Sequence, residues 1–334
     1  MKQTVSFDDV LLLPQYSEIV SRKSIDISSS LSENIVLDLP IIAAPMDTVT
    51  NSYLISRMNK HGATGVLHRY NTVHQQASSL KSINGIKAAA VGVTGNYTDR
   101  ALKLVDAGAN VICVDVAHGH HALVKHALKV LRNTIGYDIH IMVGNVATLE
   151  AFNDLADWGA NSIKVGIGGG SICSTRVQTG HGLPTLQSII DCAQSDRDAK
   201  LIADGGIKNS GDMVKAIAAG ADFVMVGSLL AGTIEAPGES ITINGKSYKK
   251  YRGMASVEAQ IDWRGHTSSI EGVSHMIPAR GRLEKVLNEL EGGIRSGFSY
   301  TGALNIVEFQ SKAKFVQQTS SGLYESRTHI KDRF

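Results

Sequence analysis

Four times along the chain an amphipathic segment closes on Gly-Ala and runs into a β-branched stretch: "NKHGATGVLHRY", "VDAGANVICVDVAHG", "ADWGANSIKVGIGGG" and "AAGADFVMVGSLLAG". Gly62, Gly108, Gly159 and Gly220 stand where a helix ends in a left-handed residue, a conformation glycine adopts without a Cβ clash, and each turns the chain into the next strand. The runs "LPIIAAPMD", "IKAAAVGV", "IHIMVGNVAT" and "AKLIADGGI" bring the total to about eight short apolar strands, with helical patterns such as "HHALVKHALKVLRNTIG" between them. Strand and helix alternating in this way predict an α/β fold, a single (β/α)8 TIM barrel spanning residues 1–334. A doubly wound sheet made of the same units is the alternative.

The charge balance narrows the partners. Lysine and arginine, 33 together, nearly cancel aspartate and glutamate, 31, which leaves no net field for nucleic acid or an anionic membrane. With 43% hydrophobic and 19% charged residues, and no apolar run of membrane-spanning length, the chain reads as an ordinary globular protein acting on a small molecule. The opening "MKQTVSFDDVLLLPQ" has a short apolar run and no small-residue cleavage site. Cys113, Cys173 and Cys192 are too widely spaced for a disulfide framework or a zinc site. Together these features predict a cytoplasmic protein with room for one reactive thiol.

The strands finish in polar or glycine-rich residues: Asp47, His68-Arg69, Asp115, Asn145, the loop 168–171, Asp204-Gly205-Gly206 and Gly227-Ser228. In a barrel these ends share the carboxyl-terminal rim, where active sites are built. Glycines at the ends of the late strands let backbone N–H groups approach an anion, which suits a phosphate. Within "GIGGGSICSTR", Cys173 is either an attacking thiolate or a small apolar residue beside a flexible turn. His118, His120 and His121 allow a metal site, but no carboxylate stands at helical spacing with them, so a loop and helix start is the expected role.

Beyond the last barrel strand, "ESITINGKSYKKY" places Asn244-Gly245 between two alternating stretches, a two-residue hairpin signal. "RGMASVEAQIDWRGHTSSIEGVSHM" then has weak periodicity, and the region of roughly 235–280 reads as a mobile flap over the rim. "GRLEKVLNELEGGIRSGFSYTGA" resumes helical spacing and returns to the barrel wall. The tail "SSGLYESRTHIKDRF" either packs on a neighbouring subunit or stays loose.

The runs "SFDDVLLLPQYS", "APMDTVT", "VGIGGGSICSTR", "IADGGIKNSGDMVKAIAAGADFVMVGSLLAGTIEAPGE" and "YRGMAS" together resemble the IMP dehydrogenase and GMP reductase family along nearly the whole chain. The resemblance implies a purine nucleoside monophosphate as substrate, a cysteine that attacks C2 of the base, and hydride exchange with a nicotinamide cofactor. It makes Cys173 the nucleophile, with Thr175 and Glu271 as the proton-handling pair. It assigns Asp204 to the ribose hydroxyls, Ser171, Gly206, Gly227, Ser228 and Tyr251 to the phosphate, Met254 and Ala255 to the base, and Gly253 and Gly272 to the substrate site. Arg69, Tyr70, Asp115, Val116 and Ala117 correspond to the cofactor side. Backbone oxygens of Gly168, Gly170, Cys173 and Arg176 correspond to a potassium site, and the implied assembly is a homotetramer.

Two features separate the family's branches. "LKSINGIKAAAVGV" passes straight from the second helix to the third strand, where dehydrogenases usually carry a regulatory insertion of paired CBS domains. Between Met254 and Glu271 the only arginine is Arg264, followed by Gly265, so the Arg-Tyr pair that dehydrogenases use to activate water is absent. The resemblance therefore favours a GMP reductase that uses NADPH to convert GMP to IMP and ammonia through a Cys173 thioimidate. The alternatives are an IMP dehydrogenase without regulatory domains, making XMP with NAD, and a non-catalytic purine-nucleotide-binding barrel. "FDDVLLLPQYS", "AAPMDTVT" and "YRGMAS" look closer to the dehydrogenases, while Ser268 and Thr185 replace an arginine of many reductases and a glutamine of the family.

Overall fold

The computed structural model describes residues 3–326. Its centre is a closed barrel of eight parallel strands: β1 (Ile41–Ala43), β2 (Thr64–Leu67), β3 (Ala88–Val91), β4 (Val111–Asp115), β5 (His140–Val146), β6 (Ser162–Val165), β7 (Lys200–Asp204) and β8 (Phe223–Val226). Each strand pairs with the next in sequence, and β8 returns to β1 with Val224 beside Ile41 and Met225 beside Ile42. This is the expected (β/α)8 barrel, and closure excludes the doubly wound sheet.

The joints follow from local chemistry. Gly62, Gly108, Gly159 and Gly220 take φ of +69°, +93°, +104° and +112°. At Gly220 a Cβ would also lie 2.4 Å from that of Ala193, so neither the backbone conformation nor the space admits a side chain. The helix Val73–Lys81 leads directly into β3, with no inserted domain between them.

Two apolar layers hold the barrel. Inside, Ile42, Val66, Ala88, Ala90, Val111, Cys113, Met142, Ile202, Phe223 and Met225 pack together, and the hairpin Ser29–Ser32 and Ile35–Leu37 adds Leu31, Ile35 and Leu37 to the same cluster. Outside, the strands meet the amphipathic faces of the helices. The predicted late helix is Leu283–Thr301, packed on Ser210–Ala218, and its Phe298 stacks on Phe309 at 4.0 Å. The strand Val10–Leu12 pairs with Phe315–Gln317, a union of the two ends of the chain that local pattern does not reveal. Tail residues 327–334 lie outside the described residues. Among the described residues no helix is long and apolar enough to cross a membrane.

His140 begins β5, with Nε2 2.8 Å from Ser162 Oγ. Burial, then the charge of Arg132, push its pKa down to about 4. The folded protein thus holds a neutral imidazole, whereas the unfolded chain takes up a proton below its ordinary value of about 6.5. The stabilisation is complete above that value and is lost as pH falls through the interval toward 4. Its full size is on the order of 3 kcal/mol. Melting temperature should therefore fall from pH 7 to pH 5, and His140→Gln, which cannot take up the proton, should flatten that slope.

The flap carries regular structure. Ser240–Ile243 and Lys246–Arg252 form the expected hairpin across Asn244-Gly245, with φ of +49° and +73° at the turn. A third strand, Ser274–Pro278, pairs with Lys246–Arg252 and completes a three-stranded sheet that the sequence pattern does not announce. Buried Lys249 fastens this sheet to the barrel through the carbonyls of Thr233 and Ala236.

Candidate active site

β6 delivers the chain into a loop, residues 166–174, that ends at the short helix Thr175–Thr179. Cys173 is exposed there, while Cys113 and Cys192 are buried and burial pushes both of their thiols up to about 12. Cys173 Sγ lies 3.1 Å from Thr175 Oγ1, which donates to Glu271 Oε2 at 2.7 Å. A thiol, a hydroxyl and a carboxylate thus stand in series, although Glu271 is 96 residues from Thr175. Backbone pairing brings it there. Ser174 N–H donates to Glu271 O at 2.9 Å, Val273 N–H donates to Ile172 O at 3.0 Å, and Cys173 faces Gly272 in an antiparallel bridge.

The loop is fastened from beneath. The Arg176 guanidinium donates to the carbonyls of Ile167, at 3.0 and 3.2 Å, and Leu183, at 2.5 Å, and Cys173 N–H donates to Gly170 O at 3.1 Å. Thr185, buried, packs against Gly169 and Gly206 in place of the glutamine expected from the resemblance.

Beside the thiol opens a cavity of about 350 Å³. Its wall unites the expected catalytic residues Cys173, Thr175 and Glu271 with Ser171, Asp204, Gly206, Gly227, Ser228, Tyr251, Gly253, Met254, Ala255 and Gly272. Arg69, Tyr70, Asp115, Val116, Ala117, Gly168 and Gly170 line it as well, whereas Arg176 stays outside. At one end Gly205 and Gly206 adopt φ of +95° and +78°, and a Cβ at Gly227 would come within 2.9 Å of the Tyr251 hydroxyl. Burial pushes Tyr251 up to about 12, against the pull of its Ser171 hydrogen bond, so the phenol keeps its proton and can donate to an anion.

One charged wall residue escapes the sequence reading. Lys164, from the middle of β6, meets Asp115 and lies 3.8 Å from Asp204, and Asn145 Nδ2 donates to Asp204 Oδ2 at 2.9 Å. The strand-end pattern does mark Asn145, but a lysine inside an apolar strand signals a site only once the barrel has closed.

Across the rim, Arg252 joins the flap to the barrel. It donates to Asp47 Oδ2 at 2.6 and 3.0 Å and to Asp262 Oδ2 at 2.6 Å. Tyr70 stacks on Trp263 of the flap helix Val257–Arg264, with centroids 5.8 Å apart. Arg264 is held by Gln260 and by Ser268, at 2.7 Å. His121 accepts from Leu123 N–H at the start of its helix, and His120 lies 2.9 Å from Asp154, in keeping with the loop role. Among the described residues no group of three or more His, Cys, Asp or Glu side chains is placed to hold a metal ion.

Fold and site together define a (β/α)8-barrel protein with an exposed cysteine, backed by a hydroxyl and a carboxylate, on its carboxyl-terminal rim. Residues 4–329 match the model of the IMP dehydrogenase / GMP reductase domain. The chain belongs to this family, whose named members are oxidoreductases. It is 33% identical to an inosine-5′-monophosphate dehydrogenase of Nitrosopumilus maritimus over 98% of both chains. It is 31% identical to a GMP reductase of Leishmania major, over 98% of this chain and 97% of the relative. A crystal structure of GMP reductase from Trypanosoma brucei in complex with guanosine 5′-monophosphate matches with a TM-score of 0.93 at 29% identity, over 98% of each chain.

Arg252→Met removes the latch between flap and rim without touching the barrel core. It should raise the substrate KM on the order of 10-fold, about 1.4 kcal/mol, through a less closed flap. The melting temperature should also fall, because methionine leaves the largely buried Asp47 carboxylate without its cation. Steady-state kinetics and a melting curve check the two halves, and an unchanged KM would show that the latch does not control closure.

Proposed function

We propose that the protein is a GMP reductase, converting GMP, NADPH and a proton donor to IMP, NADP⁺ and ammonia through a covalent Cys173 adduct. The Cys173–Thr175–Glu271 series carries this reading, because expulsion of ammonia needs a proton delivered beside the sulfur. Cys173 Sγ adds to C2 of the base, and Thr175, poised by Glu271, passes a proton to the departing amino group. A thioimidate remains, and its collapse after reduction returns the thiolate. The reduced nicotinamide supplies the hydride to C2.

The wall suits such a cofactor: Arg69 Nε is buried with no hydrogen-bond partner among the described residues, and the Tyr70–Trp263 stack offers a flat face beside it. Asp204 receives the ribose hydroxyls, while Ser171, Gly206, Ser228 and Tyr251 take the phosphate. The backbone oxygens of the 168–176 loop are hard donors of the kind potassium accepts, and such an ion would stiffen the loop without moving a proton. A cytoplasmic homotetramer belongs to the same reading.

Arg264 separates the branches. It has no tyrosine beside it and is engaged with Gln260 and Ser268, so the flap segment from Met254 to Glu271 holds no Arg-Tyr pair to activate water. The identity to IMP dehydrogenases keeps IMP oxidation with NAD as a second reading. Nicotinamide absorbance in potassium buffer decides: GMP with NADPH should consume reduced cofactor, and IMP with NAD⁺ should produce none. The opposite result would establish the dehydrogenase, and silence in both would favour a binding barrel without chemistry.

A further inference from the structure

The floor of the cavity holds a cation for which the chemistry above has no use. Lys164 is 2% exposed and reaches up between β4 and β7. Its Nζ is bonded to Asp115 Oδ1 and stands 3.8 Å from Asp204 Oδ2. Asn145 braces the same Asp204 oxygen at 2.9 Å and the Gly166 carbonyl at 2.9 Å. Room for the lysine comes from Gly144, where a Cβ would lie 2.5 Å from the Lys164 Cβ.

An ammonium in such a place is costly, and an apolar side chain would serve packing better. Burial works against its charge, yet Asp115 and then the neighbouring Cys113 and Asp204 outweigh burial and hold Lys164 above the ordinary lysine value. Asp204 shows the converse: burial pushes its carboxyl up, and Lys164 and Asn145 pull it back while Asp115 pushes further. The two carboxylates meet at one ammonium but belong to different strand ends. Asp115 continues into Val116 and Ala117, the segment assigned above to the cofactor, and Asp204 into Gly205 and Gly206, beside the residues assigned to the phosphate, and all of them line the cavity.

We propose that Lys164 is the positioning residue of this site, one ammonium that keeps Asp204 charged toward the nucleotide and orients Asp115 toward the cofactor, so that both half-sites depend on it. The assignment of ligands to the two sides rests on the function proposed above; the hold of Lys164 on Asp204 does not. A residue that merely filled the floor would leave the titration of Asp204 unmoved.

The groups facing Asp204 are Lys164 on β6, Asn145 on β5, Asp115 and Cys113 on β4, and Tyr251 on the flap. The test titrates the Asp204 carboxyl in the full-length free protein by carbon-13 NMR with labelled aspartate, assigned with Asp204→Asn. In Lys164→Met the Asp204 titration should move to higher pH, and in Asp115→Asn to lower pH. Lys164→Arg should restore the wild-type position. Calorimetry with GMP and kinetics with NADPH read the consequence. Lys164→Met should weaken GMP binding and raise the NADPH KM, each by roughly 10-fold or more, whereas Asp115→Asn should raise only the latter.

An Asp204 titration unmoved in either Lys164→Met or Asp115→Asn would overturn the proposal. Asp115→Asn leaves Lys164 paired with Asp204, so it remains a fair test even where Lys164→Met does not fold. The expected shifts in a wild-type protein that binds no GMP would instead sink the functional reading and leave the hold on Asp204 standing.

Discussion

Replacement of Cys173 by alanine is expected to lower turnover by at least roughly 10⁴-fold while changing GMP affinity by no more than about twofold. The side chain is exposed, and its polar contact is with Thr175 alone, so truncation leaves neither a cavity in the core nor a buried group without a partner. The ribose and phosphate contacts assigned to Asp204, Ser171 and Tyr251 do not involve the sulfur. Binding and chemistry should therefore come apart at this one atom. Calorimetry with GMP and NADPH absorbance measure the two. Normal turnover by Cys173→Ala would end the covalent mechanism, and a large loss of affinity would mean that the loop itself depends on the thiol.

Glu271→Gln should slow the reaction by roughly 10² to 10⁴-fold, the usual range for loss of a positioned proton carrier. Glutamine keeps the length of the side chain and an oxygen that can accept from Thr175, and the Glu271 carbonyl still takes the Ser174 N–H. What disappears is the capacity to hold a proton. Release of ammonia should then limit the rate, and hydride transfer should become comparatively fast. With deuterated NADPH the isotope effect on kcat should shrink toward unity in the variant. A variant with undiminished rate and an undiminished isotope effect would show that proton delivery takes another route.

Much of this architecture is local and therefore visible in the residues themselves. The Gly-Ala joints at Gly62, Gly108, Gly159 and Gly220 need only the φ restriction at a helix end, and Asn244-Gly245 needs only the twist of a hairpin. Cys173 is different: taken alone, its run favours a small structural residue, and the reading as a thiolate rests on the motifs shared with the family. Lys164 was out of reach, because its partners Asp115 and Asp204 stand on strands that become its neighbours only when all eight strands close. The third strand of the flap, Ser274–Pro278, was hidden for a similar reason. Its "SHMIP" has no alternation, and its pairing with Lys246–Arg252 supplies the order that its sequence lacks.

The bridge between Cys173 and Gly272 makes the cover and the reactive centre one mechanical object. The Ser174–Glu271 and Ile172–Val273 pairings flank it, and the same segment carries the carboxylate that accepts from Thr175. One strip of backbone pairing therefore sets both the height of the thiol loop and the reach of the carboxylate, so the two cannot be displaced independently.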